Sequence, residues 1–495
     1  MKKFFKISVL VLGSLLIAGV SAAEEGCCND SCTCQWTLAV DGTMTISGTN
    51  RMKNYNQDNL PWKNQLQSIK SVVIEPGGVY SISSVAFYGA TNLTSVSIPN
   101  TVTNIGQHAF RDTSLTSLTI PSSVTNIDKY AFRDITTLQS LTFEPGSQLT
   151  SIGMSAFRGT SALTSVVLPS SITTIEQCAF CHDTGLTSVT IPNSVTSIGY
   201  EAFYGTSNLT SITIPDSVTT IEGKAFYGNT SLETINFGEN SKLTSIGELA
   251  FYNDSTLKSI TVPDTVTTIG KSAFYGNTAL ENVNFGENSK LTSIGELAFF
   301  NNDSLTSITI PDTVKTIGER AFYLADNLTK IIIGDGVTSI GENAFKGLPS
   351  NAKIYCQNTS QNRCSSLIGE NNDSALSKVV LFEKDETGVY KIGEGDNAVY
   401  YASAADLTSQ PPVACTDLRS CQIQALKNKG TACDTEKECA ALIDQANTGQ
   451  FLKNGKFYAS LKDFLSGNYE RKRIYTIKEA NQVAGNKNSV MIRYK

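Results

Sequence analysis

Histidine is almost absent from this sequence, which has two histidines in 495 residues. His108 and His182 lie three repeats apart, and neither has neighbours in the sequence that would complete a Ser-His-Asp or Cys-His apparatus. No glycine-rich phosphate-binding loop follows a predicted strand. We therefore expect no enzyme activity, no cofactor and no metal site.

Long apolar runs are also lacking, so the sequence predicts no transmembrane helix. The apolar run near the N terminus, Ile7–Val20, is too short to span a membrane comfortably. It follows three lysines and precedes the small residues of Val20-Ser21-Ala22, which suit signal peptidase. We interpret residues 1–22 as a Sec-type signal peptide and predict a secreted or cell-surface bacterial protein.

Positive charge is sparse along most of the chain, whose net charge is −6. The segment from Lys453 onward is the exception, because it holds ten Lys or Arg against three Asp or Glu. An acidic body argues against nucleic acid as the partner. The basic C-terminal part is interpreted either as an electrostatic attachment to an anionic envelope or as a solvated cap.

Twelve Ala-Phe pairs occur through the middle of the chain at near-constant spacing. Successive phenylalanines are 22 to 25 residues apart, and a fixed period in this range indicates a stacked-repeat solenoid. Solenoids usually provide binding surfaces. The phenylalanines are Phe87, Phe110, Phe132, Phe157, Phe180, Phe203, Phe226, Phe251, Phe274, Phe299, Phe322 and Phe345.

The repeat is clearest in Leu209–Ser231. Its first part, Leu209–Ile214, is short, rich in β-branched residues and followed by Pro215, which predicts a brief strand. We expect Ala225-Phe226 to lie in a short helical or 3₁₀ stretch. Because one unit cannot bury its apolar groups alone, stacked coils must bury them together, with strands about 4.8 Å apart.

The recurring pattern resembles a known family. Leu-x-x-Ile-x-Ile-Pro-x-x-Val-x-x-Ile-Gly-x-x-Ala-Phe, repeated from about Ile69 to Phe345, is similar to the BspA-like leucine-rich repeats of bacterial surface proteins. The segment Trp36–Gly48 resembles the β-rich lead-in of that family. The resemblance implies a secreted or surface-exposed protein that takes part in adhesion, often to host matrix proteins or other cells. It brings no catalytic residues and does not identify the ligand.

These observations predict an α/β solenoid, a leucine-rich-repeat rod of about twelve coils of 22–25 residues. A β-rich N-terminal cap and a small disulfide-containing C-terminal module complete it. The predicted segments are a signal peptide over 1–22, a cysteine-containing cap over 23–68, the solenoid over 69–356, a C-terminal cap and linker over 357–413, and a Cys-rich basic module over 414–495.

The twelve cysteines lie mostly at the two ends of the repeats. Export favours disulfides, although the N-terminal group could instead bind a soft metal. The disulfide candidates, whose pairing the sequence does not determine, are Cys27, Cys28, Cys32, Cys34, Cys356, Cys364, Cys415, Cys421, Cys433 and Cys439.

Cys178 and Cys181 lie inside the repeats and, with His182, match the attachment motif for c-type haem. The intervening Ala179-Phe180 is in register with the other Ala-Phe pairs, so we interpret the match as accidental. A local disulfide, two free thiols and an adventitious metal remain as alternatives.

Two surface stripes repeat with the coils. The outward strand residues are mostly Ser and Thr, which suit an exposed sheet or a polar platform for a protein or glycan. The residues after each Ala-Phe are mostly Tyr or Arg, types common in interface hot spots, although such rings can also simply cover the spine and stack. The candidate ligand-binding residues are Arg111, Arg133, Arg158, Tyr204, Tyr227, Tyr252, Tyr275 and Tyr323.

The sequence thus leaves two hypotheses for function. The first is adhesion, by binding of an extracellular protein or glycan along the solenoid. The second is a structural, envelope-associated spacer that is attached through its basic C-terminal module.

Overall fold

The structure is a computed structural model that describes residues 22–357 and the short segments 366–368, 372, 375, 377, 379–384, 390–392, 399–401, 451–453 and 456–458. The chain divides into two compact units, Met1–Asp303 and Ser304–Lys495. Residues 1–21 of the predicted signal peptide, and most of the predicted module over 414–495, lie outside the described residues.

The first unit begins with a cap of antiparallel strands, β1 Ala22–Cys27, β2 Cys34–Ala39 and β3 Thr43–Gly48, followed by a 3₁₀ helix, Lys63–Ser68. Strand β2 pairs with both β1 and β3. Alternate residues of β2 and β3 are buried, as a sheet with one face on a core requires. The third strand then pairs in parallel with the first strand of the solenoid, so the cap covers the open end of the repeats.

The remaining strands of the first unit alternate between longer strands and strands of two residues. Their bounds are β4 Ser71–Ile74, β5 Ser81–Ile82, β6 Ser95–Ser97, β7 Asn104–Ile105, β8 Ser117–Ile120, β9 Asn126–Ile127, β10 Ser140–Phe143, β11 Ser151–Ile152, β12 Ser165–Val167, β13 Thr174–Ile175, β14 Ser188–Thr190, β15 Ser197–Ile198, β16 Ser211–Ile214, β17 Thr220–Ile221, β18 Thr234–Phe237, β19 Ser245–Ile246, β20 Ser259–Thr261, β21 Thr268–Ile269, β22 Asn282–Asn284 and β23 Ser293–Ile294.

The second unit contains strands of the same two kinds and then further strands. They are β24 Ser307–Ile310, β25 Thr316–Ile317, β26 Lys330–Ile333, β27 Ser339–Ile340, β28 Lys353–Gln357, β29 Val379–Lys384, β30 Tyr390–Ile392, β31 Val399–Tyr401, β32 Phe451–Lys453 and β33 Lys456–Tyr458. In this unit β24, β26, β28, β29, β30 and β31 form one sheet in that order.

The architecture is a parallel β-solenoid of about 13 turns with leucine-rich-repeat character, which confirms the predicted fold class. In the first unit the two-residue strands from β5 to β23 form one parallel ladder in register. The longer strands from β8 onward pair in twos, β8 with β10, β12 with β14, β16 with β18 and β20 with β22. The short strands therefore form the more continuous face of the first unit.

The core is a column of stacked phenylalanine rings. In the first unit consecutive rings from Phe87 to Phe299 have centroids 5.2 to 5.7 Å apart, and each is fully buried. Each ring contributes about 1.5–3 kcal/mol by burial alone. Trp62 extends the column by stacking on Phe87 at 5.9 Å, and its indole N–H donates a hydrogen bond of 2.7 Å to the Ala86 carbonyl.

The Ala-Phe segment is a turn rather than the expected helical stretch. Around Phe226, the backbone N–H groups of Lys224, Phe226 and Gly228 each donate to a carbonyl of the next coil, at 2.8 Å. These donors point along the solenoid and so cannot form helical bonds within the coil. Lys224 and Gly228 have φ values of 56° and 71°, in the left-handed region, and these two residues reverse the chain on either side of the buried pair.

Three disulfides have both of their cysteines in the described part of the chain. They join Cys27 to Cys32, Cys28 to Cys34, and Cys178 to Cys181. The local disulfide is thus the alternative that the structure adopts at 178–181, and the N-terminal thiols are paired with one another. Cys356 is also disulfide-bonded. The candidates Cys364, Cys415, Cys421, Cys433 and Cys439 lie outside the described residues.

Candidate ligand-binding surface

The residue that follows each buried Ala-Phe pair lies on the surface of the turn. Because the phenylalanine points into the core and left-handed residues flank the segment, the next side chain faces outward and is half-buried in most coils. We call these residues the stripe. Its members are Tyr88, Arg111, Arg133, Arg158, Cys181, Tyr204, Tyr227, Tyr252, Tyr275 and Phe300 in the first unit, and Tyr323 and Lys346 in the second.

The aromatic half of the stripe is a continuous row of stacked rings. Tyr204, Tyr227, Tyr252, Tyr275 and Phe300 follow one another with centroids 4.5 to 4.8 Å apart and interplanar angles of 7° to 13°. The inner rings therefore have both faces covered by their neighbours. What this row offers to a ligand is the ring edges and the phenolic hydroxyl groups.

Burial makes two phenol groups of this row, those of Tyr227 and Tyr252, harder to ionise. Desolvation, and then the neighbouring tyrosines, raise the pKa of Tyr227 and of Tyr252 above the usual phenol value. The hydroxyl groups of these two residues are therefore protonated at physiological pH and can donate as well as accept hydrogen bonds.

The basic half of the stripe is an ion-paired network. The Arg133 Nε lies 2.9 Å from an Asp134 carboxylate oxygen, and the Arg111 guanidinium lies 3.8 Å from the same oxygen. Arg111 also lies over the ring of Tyr88, 5.2 Å from its centroid, a cation–π geometry. Arg158 has no ion-pair partner among the residues that the structure describes, which leaves its charge available.

A second row of rings lies beside these arginines. His108 stacks on Tyr130 with centroids 4.8 Å apart, and Arg133 lies 5.6 Å from the centroid of the Tyr130 ring. Burial, and then the charges of Arg111 and Arg133, lower the pKa of His108, so its ring is neutral at physiological pH. The sequence interpretation did not include His108 or Tyr130 in the candidate surface. Both lie two residues before phenylalanine, at the first turn residue, and this position is the signal that would have found them.

The two halves of the stripe are separated by Cys181. This residue is 1% exposed and bonded to Cys178, so it offers no surface to a ligand. The structure thus brings the four tyrosines Tyr204 to Tyr275 together and links Arg111 to Arg133 through Asp134. Cys181 interrupts the stripe between these two groups. In the second unit, Lys346 lies 6.0 Å from the Tyr323 ring centroid.

The hydroxyl-rich face is partly engaged in holding the coils together. The hydroxyl groups of Thr94 and Thr187 donate to the carbonyls of Lys70 and Thr164 in the preceding coil, at 3.2 and 3.0 Å. Such bonds satisfy backbone acceptors. This column of threonines therefore has a structural role.

No group of three His, Cys, Asp or Glu side chains suited to a metal ion occurs in the described part of the chain. Over the same residues, no helix has the length and hydrophobicity to cross a membrane.

Residues 62–187, 174–301 and 280–381 match the family model described as BspA type leucine rich repeat region, with six copies. Together these matches cover more than half of the sequence. The chain belongs to this family. The BspA-type family and its solenoid fold are typically non-enzymatic, and membership is consistent with a surface-exposed repeat protein.

Solved structures of bacterial repeat proteins resemble this BspA-type chain. A leucine-rich repeat protein from Bacteroides ovatus is 22% identical, with a TM-score of 0.56, over 74% of this chain and 100% of that one. A leucine-rich cell surface protein from Faecalibacterium prausnitzii is 25% identical, with a TM-score of 0.34, over 65% of this chain and 92% of that one. The first likeness supports the solenoid fold. No curated protein matches the chain.

Proposed function

We propose that this BspA-type protein is a secreted or surface-displayed adhesin that binds an extracellular protein or glycan through the stripe. The observation that carries the proposal is the stacked row from Tyr204 to Phe300. Rings that served only to cover the core would need no hydroxyl groups, yet four of the five carry one. Tyrosine combines a large apolar body with a polar tip, which suits it to interfaces.

The geometry of the row favours one kind of contact. Because neighbouring rings cover the faces of Tyr227, Tyr252 and Tyr275, a sugar ring cannot stack flat on them. An extended ligand lying across the ring edges would meet a row of phenolic hydroxyls on rings whose centroids are 4.6 Å apart. The row is therefore better suited to hydrogen bonding with a protein segment or the hydroxyl edge of a glycan chain.

The test is an array of extracellular-matrix proteins and glycans probed with the mature chain, residues 23–495. The double variant Tyr227→Ala, Tyr252→Ala should lose the binding that the wild type shows, while circular dichroism shows that the fold survives. The matched control, Ser211→Ala with Thr213→Ala, alters exposed strand residues of the same coil and should bind as the wild type does. Equal binding by all three proteins would rule out the stripe.

The alternative function is an envelope-associated spacer attached by the basic segment from Lys453 onward. Attachment by surface charges weakens as salt rises, because exposed charges are screened beyond about 10 Å at 0.1 M. Binding through the neutral tyrosine row should persist in added salt. Binding that is abolished by salt and unaffected by the tyrosine variants would favour the spacer.

A further inference from the structure

A polar cleft lies near the N-terminal end of the first unit. In every coil that contributes to the cleft, the residues that line it are separate from the stripe residue. Its volume is about 250 Å³, and Arg51, Asn54, Tyr80, Asn104 and Asp128 contribute to its lining. The residues come from the cap and from the first three coils. In each coil they lie before the Ala-Phe pair, whereas the stripe residue lies after it.

Three of these residues depart from the pattern of their own repeat. Tyr80 lies two residues before the inward isoleucine of its short strand. Ten of the other coils have threonine at this position, and one has lysine. The position of Asn104 holds serine or threonine in ten of the twelve coils, and the position of Asp128 holds glycine in eight. The coils that form the cleft thus differ from the rest at the residues that face it.

The threonine that most coils have at this position makes a hydrogen bond between coils, and this role does not explain Tyr80. In later coils this threonine donates its hydroxyl to the preceding coil, as Thr196 does to the Thr173 carbonyl at 3.3 Å. Tyr80 is instead 44% exposed, so its ring gains little from burial. An exposed aromatic ring in place of a bonding threonine is explained more readily by a ligand than by the fold.

The polar groups of the cleft are held in fixed orientations. The Asn126 amide donates to the Asn104 side-chain oxygen at 2.6 Å and to Asp128 Oδ1 at 3.1 Å. The Asn104 amide in turn donates to the Ser81 hydroxyl at 3.2 Å. This chain of bonds presents an oriented amide and carboxylate to the cleft before any ligand arrives, which lowers the entropic cost of binding.

Residues of the cap form the opposite wall of the cleft. The Met52 N–H donates to the Ser81 carbonyl at 3.2 Å, and the Lys53 N–H donates to the carbonyl of Cys28, which is disulfide-bonded to Cys34. Asn54 Oδ1 accepts a bond of 3.2 Å from the Ser84 N–H. The segment that carries Arg51 and Asn54 is therefore anchored on both the disulfide-linked cap and the first coil.

We propose that this cleft binds one sugar ring of a glycan. Tyr80 would pack against the apolar C–H face of the ring, while Asn104, Asp128 and Arg51 would hydrogen-bond to its hydroxyl groups. The cleft is smaller than the roughly 300–1,000 Å³ of sites for drug-sized ligands, which favours a single ring. One carboxylate and one guanidinium, with several neutral polar groups, match a ligand rich in hydroxyls better than an anion.

The test is saturation-transfer difference NMR on the mature chain, residues 23–495. The probes are the methyl glycosides of glucose, galactose, mannose, N-acetylglucosamine and glucuronic acid. Tyr80→Thr and Asp128→Gly each restore the residue that most coils use, so both variants should fold. Each should weaken binding by about ten-fold or more. The control is Tyr200→Thr, which removes another exposed tyrosine of the first unit.

Binding of at least one glycoside that both cleft variants lose and Tyr200→Thr retains would support the site. Failure of every glycoside to bind, or binding that neither cleft variant changes, would overturn it. The double variant Tyr227→Ala, Tyr252→Ala should leave glycoside binding intact. These variants therefore test the cleft and the stripe independently of each other.

Discussion

Individual buried polar residues bind the coils to one another along a line beside the phenylalanine column. The third residue after phenylalanine is Thr160, Asp183, Thr206, Asn229, Asp254, Asn277 or Asn302 in consecutive coils, and all are buried. The Asn229 N–H donates to Asp254 Oδ1, and the Asp254 N–H donates to Asn277 Oδ1, both at 2.8 Å. An asparagine suits this position because its amide is neutral, whereas an aspartate must either bury its charge or take up a proton.

Asp254→Asn should therefore stabilise the protein at neutral pH. Burial raises the pKa of Asp254 well above its ordinary value. A carboxyl whose folded pKa is raised contributes stability that is fully present below its unfolded pKa and is lost as pH rises through the folded pKa. The variant has no such loss, so its advantage in urea denaturation should be small near pH 4 and larger at pH 7.

The control for this measurement is Glu239→Gln, which removes a charge from an exposed loop of the same unit. It should show no comparable dependence on pH. An Asp254→Asn protein that is no more stable than the wild type at pH 7 would show that the buried carboxyl does not destabilise the fold.

The left-handed turn residues are a second set of single-residue constraints. Gly228 has a φ of 71°, and a Cβ added there would meet nothing within 4 Å. Gly228→Ala should thus report the backbone cost alone, about 1–2 kcal/mol of unfolding free energy. Gly228→Asn is the matched variant, because Asn253 and Asn301 occupy the same turn position with φ values of 61° and 57°. It should lose less than the alanine variant, and an equal loss would contradict this explanation.

At the scale of the element, the N-terminal cap closes the phenylalanine column with a tryptophan. Trp62 is 0% exposed, stacks on Phe87 and donates to the Ala86 carbonyl. Trp62→Ala should destabilise the first unit by about 3–5 kcal/mol, as aromatic-to-alanine changes in cores do. Trp62→Phe keeps a ring but leaves the carbonyl without its donor, so it should cost about 1–3 kcal/mol.

Chemical denaturation followed by circular dichroism would measure both changes. If Trp62→Ala unfolds at the same denaturant concentration as the wild type, the cap does not complete the core.

The sequence predicted the elements whose signals are local. The period of the Ala-Phe pairs located the spine, and Pro215 marked the end of a strand that the structure ends at Ile214. The turn was harder to predict because left-handed geometry depends on bonds to the next coil. Its signal lay in the second residue after phenylalanine, where glycine, aspartate or asparagine occurs in ten of the twelve coils.

The candidate sites also differ in how much of them the local sequence predicts. Outward placement of Tyr227 and Tyr252 followed from their position beside a buried phenylalanine. Their close stacking depends on the rise between coils, which no single repeat encodes. The cleft around Tyr80 was not predicted, because it forms only where the cap segment at Arg51 returns beside residues of the third coil such as Asp128.

At the scale of the whole molecule, the stripe is the surface through which we propose that the repeat fold mediates adhesion. The chain has a sequence pI of about 5.3, so attraction to acidic surfaces is not expected of its body as a whole. Burial raises the pKa of Tyr227 and of Tyr252 in the tyrosine row, and the contacts of the row with a ligand would be apolar and hydrogen-bonding. These contacts resist salt better than exposed charge pairs do.

The most direct test of adhesion through the stripe is the dissociation constant for the strongest matrix or glycan ligand of the mature chain. It should be measured by surface plasmon resonance at physiological salt for the wild type and for Tyr227→Ala with Tyr252→Ala. A loss of at least about ten-fold in affinity, with an unchanged unfolding transition, is the predicted result. Equal affinities for the two correctly folded proteins would contradict the assignment of adhesion to the stripe.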